Sequence, residues 1–206
     1  GVAYVDLNKP EERLWDELRR GHKRSIRKLK DAGYTVEIDQ WEQFQKYVTI
    51  YEQTMEDVDA NQYYRFASDF FEGLLPLCGS ALHMFCVVSS RGDLAAAGLY
   101  SSLGGISHGF LSGTSSTYRQ CAPAKLMHYH VMLWAKEQGN AVLHLGGGVG
   151  GASDSLLHYK AGFSPLRARY KTLRLVTDPT RYESFVARRL AAGLKPPEGF
   201  FPRYRA

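Results

Sequence analysis

Cysteine is scarce in this chain, and the patterns that mark a metal centre or a membrane protein are missing. The three cysteines, Cys78, Cys86 and Cys121, are odd in number and have no metal-ligand spacing. They predict a reducing, cytoplasmic compartment and no metal site. No run of about 18 apolar residues occurs and no signal peptide is visible, so we expect no membrane span.

Acidic residues are also in the minority. The chain has 26 lysine and arginine residues against 21 acidic ones, a net charge of +5. Such an excess favours polyanionic partners such as phosphate esters, nucleic acid or anionic lipid head groups. Most of it lies within residues 19–30, where helical spacing places Arg24, Arg27 and Lys28 on one face together with Arg20. These residues are candidate phosphate ligands, and a solvated surface helix is the alternative.

The apolar spacing predicts a mixed order of helices and strands. Three β-rich runs at 83–89, 94–102 and 106–113, joined by tight turns, predict an antiparallel meander. Helices are predicted at 10–18, 22–31, 41–55, 66–77, 123–138 and 180–192. Further strands are predicted at 2–7, 34–39, 141–145 and 169–176. No repeat or low-complexity linker divides the chain, so one domain is the simplest organisation.

A glycine-rich bend follows the predicted strand 141–145. Five glycines lie within six positions: Gly146, Gly147, Gly148, Gly150 and Gly151. Glycine lets the backbone approach a ligand closely, and the amides that begin the next helix favour negative charge. Lys160, about two helical turns further on, can lean over the same place. We therefore predict a site for a phosphate or a developing oxyanion, with a flexible strand-to-helix turn as the alternative.

Three stretches and the order of the elements resemble the GNAT fold, and within it the Fem-type (FemABX) transferases. The stretches are the basic segment 22–36, Tyr63-Tyr64-Arg65-Phe66, and the close from Leu145-Gly-Gly-Gly to Tyr159-Lys-Ala-Gly-Phe163. The resemblance implies an α+β fold with a mixed, mostly antiparallel central sheet flanked by helices. Classical Fem proteins contain two GNAT-like halves. Residues 1–206 have the length and motifs of the second half, so we expect a single GNAT-like domain from a longer Fem-like protein.

The resemblance also implies acyl transfer to an amine. Fem enzymes move an aminoacyl group from aminoacyl-tRNA to a peptidoglycan precursor, and some relatives use acyl-CoA. No permanently bound cofactor is implied, only aminoacyl-tRNA or acyl-CoA as co-substrate. The expected partners are a phosphate-bearing small molecule or lipid-linked acceptor, and tRNA. Two alternatives remain: an acyl-CoA-dependent N-acetyltransferase, and a non-catalytic module that binds tRNA or the precursor.

Lys160 and His108 are the candidate catalytic residues. Lys160 matches the lysine of the family's C-terminal FKxGF motif, and the resemblance implies that this lysine binds or activates the substrate ester. His108 lies on a predicted central strand and could take a proton, although a core or surface histidine is the commoner outcome. Asp154 is better placed as a helix N-cap than as a base. Tyr64 belongs to the aromatic segment and is a candidate binding residue.

The loop before the long helix bears on the choice of donor. CoA-dependent GNAT enzymes carry Gln/Arg-x-x-Gly-x-Gly/Ala there, and this chain has Arg119-Gln-Cys-Ala122-Pro123-Ala124. Arg119 fits the pattern and is a candidate phosphate ligand, but Pro123 removes a backbone donor. The altered loop weakens the case for acetyl-CoA and favours a Fem-like donor.

Overall fold

The computed structural model describes residues 1–205, which form two compact units. The first unit is Gly1–Arg169, and the second begins at Tyr170. The strands of the first unit are β1 (Val2–Asp6), β2 (Thr35–Ile38), β3 (Leu82–Val88), β4 (Leu94–Leu103), β5 (Ile106–Thr114), β6 (Val142–Gly147) and β7 (Arg167–Ala168). Its helices are α1 (Glu11–Glu17), α2 (Arg20–Asp31), α3 (Phe44–Asp57), α4 (Ser68–Cys78), α5 (Ala124–Glu137) and α6 (Ser155–Lys160). The second unit contains α7 (Pro179–Ala191).

The seven strands form one sheet in the order β2-β3-β4-β5-β6-β1-β7. Tight turns join β3, β4 and β5 as an antiparallel meander, which confirms the prediction from the sequence. The chain then crosses over through α5 and returns as β6, which runs parallel to β5. This is the α+β fold with a mostly antiparallel sheet that the resemblance implied.

Helices pack on both faces of the sheet because strand side chains alternate between the faces. One core joins Phe85 and Tyr100 to the buried sides of α2 and α5, including Ile26 and Met127. A second core lies on the other face and joins strand residues such as Met84 and Leu99 to α3 and α4. The predicted apolar stripe of α3 supplies Tyr47, Val48 and Tyr51 to this second core.

One predicted element is wrong. Residues 169–176 form no strand in the described chain, and β7 ends at Ala168 after pairing with Val2 and Ala3 of β1. The alternating leucines of this segment are not buried, since Leu173 is 90% exposed and Leu175 is 68% exposed. An alternating run of apolar residues forms a strand only where a sheet edge can pair with it and a core can bury its side chains.

Two other predictions concern the whole chain. None of the helices within residues 1–205 is long and apolar enough to cross a membrane. The single-domain organisation of residues 1–206 stays a prediction.

Candidate functional site

The sheet opens between its two parallel strands. β5 and β6 pair only at Ile106–Val142, Ser107–Leu143 and His108–His144, although β5 continues to Thr114 and β6 to Gly147. Beyond that point β5 stays paired with β4, and β6 stays paired with β1. Ends of parallel strands that part in this way form a common place for ligands in α/β proteins.

Lys160 reaches this opening from the last position of α6. Its ammonium group donates a hydrogen bond to the carbonyl oxygen of Gly147 at 2.8 Å. The side chain is half-buried, and burial lowers the pKa of Lys160 from its usual 10.5, with the Asp154 carboxylate opposing the shift. The ammonium group therefore lies at the glycine bend, and its catalytic role stays a prediction.

Gly146 makes room for that ammonium group. Its φ is +82°, and a Cβ atom placed there would lie 3.1 Å from Lys160 Nζ. A larger residue would be strained in its backbone and would also crowd the lysine. The glycine at this position thus sets how closely the lysine approaches β6.

His108 faces His144 where the two strands part. Their ring centroids are 4.8 Å apart. The pKa of His108 is lowered by burial, then by His144 and Lys160, and that of His144 is lowered by burial and then by Lys160. Both imidazoles are therefore neutral at pH 7 and able to accept a proton. Nδ1 of His144 is buried and has no hydrogen-bond partner within residues 1–205.

His144 was missed by the sequence analysis. It is the first residue of the stretch that leads into the glycine bend, but its apolar neighbours indicated only a strand. The signal that selects it is the register of two parallel strands, which pairs it with His108. Register between strands separated by a long helix is not visible in a sequence.

A second group of side chains lies on the other face of the sheet. Tyr100 pairs with Gly109 next to the Ser101–His108 pair, so Tyr100 and His108 point to opposite faces. Edge-on contacts join Tyr100 to His128 and His128 to Tyr159, with ring centroids 5.9 and 5.8 Å apart. The hydroxyl groups of Tyr100 and Tyr159 are buried without partners in the described chain.

His128 belongs to the electrostatic surroundings of the lysine. Its Nδ1 lies 2.7 Å from the carbonyl oxygen of Ala124 and donates to it, so Nε2 is left as an acceptor. The pKa of His128 is lowered to about 4 by burial, and Lys160 and His22 add to the shift. Lys160 thus lowers the pKa of imidazoles on both faces of the sheet.

The glycine bend already contains an anion, which is the side chain of Asp154. Its carboxylate accepts from the amides of Leu157 at 2.9 Å and Val149 at 2.8 Å, and these two bonds lower its pKa. Asp154 is the N-cap of α6, as the sequence predicted. A Cβ at Gly148 would clash with this carboxylate. An anion binding to this bend would have to compete with Asp154.

The other predicted glycine ligands divide between strand and turn. Gly146 and Gly147 belong to β6 and pair with β1, while Gly150 lies in a short 3-10 turn after the strand. The binding role of Gly146, Gly147, Gly148 and Gly150 stays a prediction.

The basic helix presents two different faces. Arg20, Arg24, Arg27 and Lys28 share one face, as the helical spacing predicted, and all four are exposed. We call them the outer face of α2. The opposite face buries His22, whose Nε2 lies 3.0 Å from the carbonyl oxygen of Tyr159 in α6. Because His22 faces α6, the outer face turns away from the lysine. The phosphate-binding role of Arg24, Arg27 and Lys28 stays a prediction.

Arg119 and Tyr64 lie elsewhere in the first unit. The guanidinium group of Arg119 forms an ion pair with Asp57 at the end of α3. Tyr64 follows α3 in a 3-10 turn, packs edge-on against Tyr63, and accepts a hydrogen bond from the Tyr51 hydroxyl through its backbone carbonyl. Neither binding role is tested by these contacts. Within residues 1–205, no three histidine, cysteine or acidic side chains are grouped as a metal ion requires.

The chain matches one family model and shares its fold with several solved structures. The family model for the acetyltransferase (GNAT) domain matches residues 16–161. The fold is shared with the crystal structure of FemX, at 15% identity and a TM-score of 0.68, over 79% of this chain and 57% of that one. It is also shared with L-PGS from Bacillus licheniformis, at 16% identity and a TM-score of 0.53, over 79% and 55%.

A third similar structure is the C-terminal domain of a suggested lysylphosphatidylglycerol synthetase from Agrobacterium fabrum. It is 12% identical with a TM-score of 0.51, and the match covers 79% of this chain and 55% of that one. The chain thus spans a little over half of each similar structure. No curated protein sequence matches it.

Proposed function

This chain belongs to the acetyltransferase (GNAT) domain family, and we propose that it is an acyltransferase, specifically a Fem-like aminoacyltransferase. An amine of the acceptor attacks the ester carbonyl of aminoacyl-tRNA. A C–N bond forms, the C–O bond to the ribose breaks, and no covalent intermediate on the protein is needed. The observation that carries the proposal is the half-buried Lys160 ammonium, placed where β5 and β6 part and beside the His108–His144 pair.

Lys160 supplies the positive charge that the tetrahedral transition state needs. Nζ uses one N–H group on the Gly147 carbonyl, which leaves two for an ester oxygen as it gains negative charge. A fixed charge away from bulk water stabilises an oxyanion more strongly than the same charge in solvent. Since burial lowers its pKa, Lys160 can also give a proton to the leaving ribose oxygen more easily than an ordinary lysine.

The histidine pair takes the proton that the amine loses. His144 has a buried Nδ1 without a partner, and His108 lies against it. Because their pKa values are lowered, both are neutral at pH 7 and can act as bases. The proton on the attacking nitrogen passes to one of these imidazoles when the tetrahedral intermediate collapses.

The loop before α5 supports tRNA over acyl-CoA as the donor. Ala122 has a left-handed backbone with φ of 54°, and Pro123, the N-cap of α5, has no N–H group. Arg119 is already paired with Asp57. A pyrophosphate at this place would therefore lack one amide and would compete with a carboxylate for the arginine.

The acceptor that we propose carries a phosphate and a nucleophile. The nucleophile is an amine, which gives the C–N bond described above, or a lipid hydroxyl group, which gives a C–O bond in its place. Its two candidate classes are a peptidoglycan precursor, from the Fem-type resemblance, and an anionic phospholipid, from the lysylphosphatidylglycerol synthetase name of one similar structure. The basic outer face of α2 suits either of them. We propose that the reaction takes place in the cytoplasm.

The donor is tested by offering the protein aminoacyl-tRNA and acetyl-CoA separately, each with an amine acceptor. We expect loss of the aminoacyl ester only in the presence of both protein and acceptor, and no consumption of acetyl-CoA. Consumption of acetyl-CoA alone would instead establish an N-acetyltransferase, the second candidate, which the description of the matching family favours. If tRNA is bound but no acyl group is ever transferred, the protein is a binding module.

A further inference from the structure

A group of cationic side chains lies between α2, α5 and α6, on the side of α2 opposite to its outer face. Arg19 precedes α2 and directs Nη1 to Nε2 of His158 in α6, at 2.6 Å. Lys125, in the first turn of α5, donates to the hydroxyl of Ser25 in α2 at 3.1 Å. His22 lies between them along α2. We call the cations Arg19 and Lys125, together with their partners His158 and Ser25, the inner cation group.

The charges in this group act on one another. The pKa of His22 is lowered to about 4, first by burial and then by Lys125, with Arg19 and His158 adding smaller effects in the same direction. Two cationic side chains, Lys125 of α5 and Arg19 before α2, therefore act on one imidazole. Burial also lowers the pKa of Lys125. A protein that concentrates like charge in this way bears an electrostatic cost unless an anion offsets it.

Carboxylates do not offset the charge. Within residues 1–205, neither Arg19 nor Lys125 has a carboxylate oxygen within 4.0 Å. The two acidic residues nearest in sequence are engaged elsewhere, since Asp16 lies 3.8 Å from Lys23 and Glu17 lies 2.7 Å from Lys9. Nor does any side chain cap the N-terminus of α2, whose first turn contains no acidic residue.

The donors are arranged for an oxyanion with several oxygens. The contact with His158 orients the guanidinium group of Arg19, and the planar fork of an arginine matches a phosphate. In that contact Arg19 donates and Nε2 of His158 accepts, because a guanidinium group has no acceptor. The ammonium of Lys125 adds donors on the same side of α2, because it uses only one N–H group on the Ser25 hydroxyl, which itself donates to the carbonyl of Gly21.

We propose that the inner cation group binds a phosphate of the acyl donor. The proposal rests on the proposed function and deepens it, because the backbone of Tyr159, next to the catalytic lysine, contacts His22 in the middle of the group. A phosphate bound here would fix one end of a donor whose carbonyl lies at Lys160. The shared chemistry is a phosphate ester, which both tRNA and coenzyme A possess.

The test measures binding without turnover, using uncharged tRNA and coenzyme A as probes. Arg19→Gln and Lys125→Gln each remove one charge from the group. Arg91→Gln and Lys46→Gln remove one charge from exposed positions elsewhere and control for net charge. We expect each inner variant to weaken binding by about tenfold, the usual effect of losing a hydrogen bond to a charged group. The controls should weaken it by less than about threefold.

The probe that responds identifies the source of the phosphate. A loss confined to tRNA assigns the group to a polynucleotide backbone, and a loss confined to coenzyme A assigns it to the pyrophosphate or ribose phosphate. Inner variants that bind like the controls, or a wild-type protein that binds neither probe, would overturn the inference. A thermal melt of each variant confirms folding, and Arg19→Glu, at an exposed position, should give the larger loss.

This outcome is separate from that of the proposed function. If the inner variants still transfer the acyl group and bind tRNA and coenzyme A with unchanged Kd, the phosphate site is excluded and the proposed function stands. If the wild-type protein binds the phosphate probes but transfers no acyl group from either donor, the proposed function is excluded and the phosphate site stands.

Discussion

The outer face of α2 and the surroundings of Lys160 are both basic, but the two regions treat charge in opposite ways. Arg24, Arg27 and Lys28 are exposed, and the guanidinium group of Arg27 lies over the ring of Trp15 at 5.2 Å. Lys160 is half-buried, donates to a backbone carbonyl and has a lowered pKa. The exposed charges are screened by water and salt, whereas the half-buried charge of Lys160 is screened less.

The difference shows why charge density is a poor guide to a catalytic site. Solvated charges attract an anionic ligand over a distance and contribute modestly once it is bound. One desolvated ammonium beside a reacting carbonyl can change a rate by orders of magnitude. Substitutions in the two regions should therefore differ in size and in the kinetic constant that they alter.

The largest effect is expected for Lys160→Met. Removing the ammonium group should lower kcat by about a thousandfold, the effect of losing a strong oxyanion donor, with little change in the melting temperature. The measurement is single-turnover transfer from aminoacyl-tRNA. The matched control is Lys136→Met, because Lys136 is also half-buried and donates to a backbone carbonyl, that of Leu7, at 2.9 Å. Equal activity of the two variants would remove Lys160 from the mechanism.

His144→Asn should have the second-largest effect, lowering kcat by about a hundredfold through the loss of a proton acceptor. Burial lowers the pKa of His108 and His144, so the neutral imidazole persists at acid pH. The midpoint of the acid limb of the kcat profile should therefore lie below pH 6.5. Because the pKa of Lys160 is also lowered, the midpoint of the alkaline limb should lie below pH 10.5.

A pH–rate profile of the wild-type protein and both histidine variants measures these limbs. His83→Asn is the control, since His83 is a strand histidine bonded to Asp39 at 2.9 Å in another part of the sheet. An acid limb that keeps its position and height in both His108→Asn and His144→Asn would show that neither imidazole takes the proton.

The smallest effects belong to the outer face of α2. Arg24→Gln and Arg27→Gln should each raise the KM for the phosphate-bearing substrate by about threefold and leave kcat unchanged at saturation. The effect should disappear at high salt, because exposed charges are screened over a few ångströms there. Titration of KM against ionic strength checks it. A fall in kcat that salt does not relieve would place the outer face next to the reaction.

Much of the fold follows from the sequence because its signals are local. The meander has alternating runs and glycine turns, and α5 has a broad apolar face closed by Gly139, so their bounds shift by only a few residues. The strand predicted at 169–176 fails because alternation does not reveal whether a partner exists. Leu173 and Leu175 remain largely exposed.

The site is less visible because it depends on distant pairing. The resemblance to the family's close singled out Lys160, and the N-cap role of Asp154 follows from local chemistry. His144 and Lys125 become notable only through the β5–β6 register and the contact between α5 and α2. Charge counting emphasised Arg24 and Arg27, whereas Arg19 at the edge of the same run has the partner in α6.

The short pairing between β5 and β6 has a kinetic consequence. A sheet open between two strands can admit one reactant from each face, with His108 and His144 on one side and Tyr100 and His128 on the other. Donor and acceptor can then occupy the enzyme together. Initial rates measured at several fixed concentrations of one substrate should give intersecting double-reciprocal lines. Isotope should not exchange between charged and free tRNA until the acceptor is added.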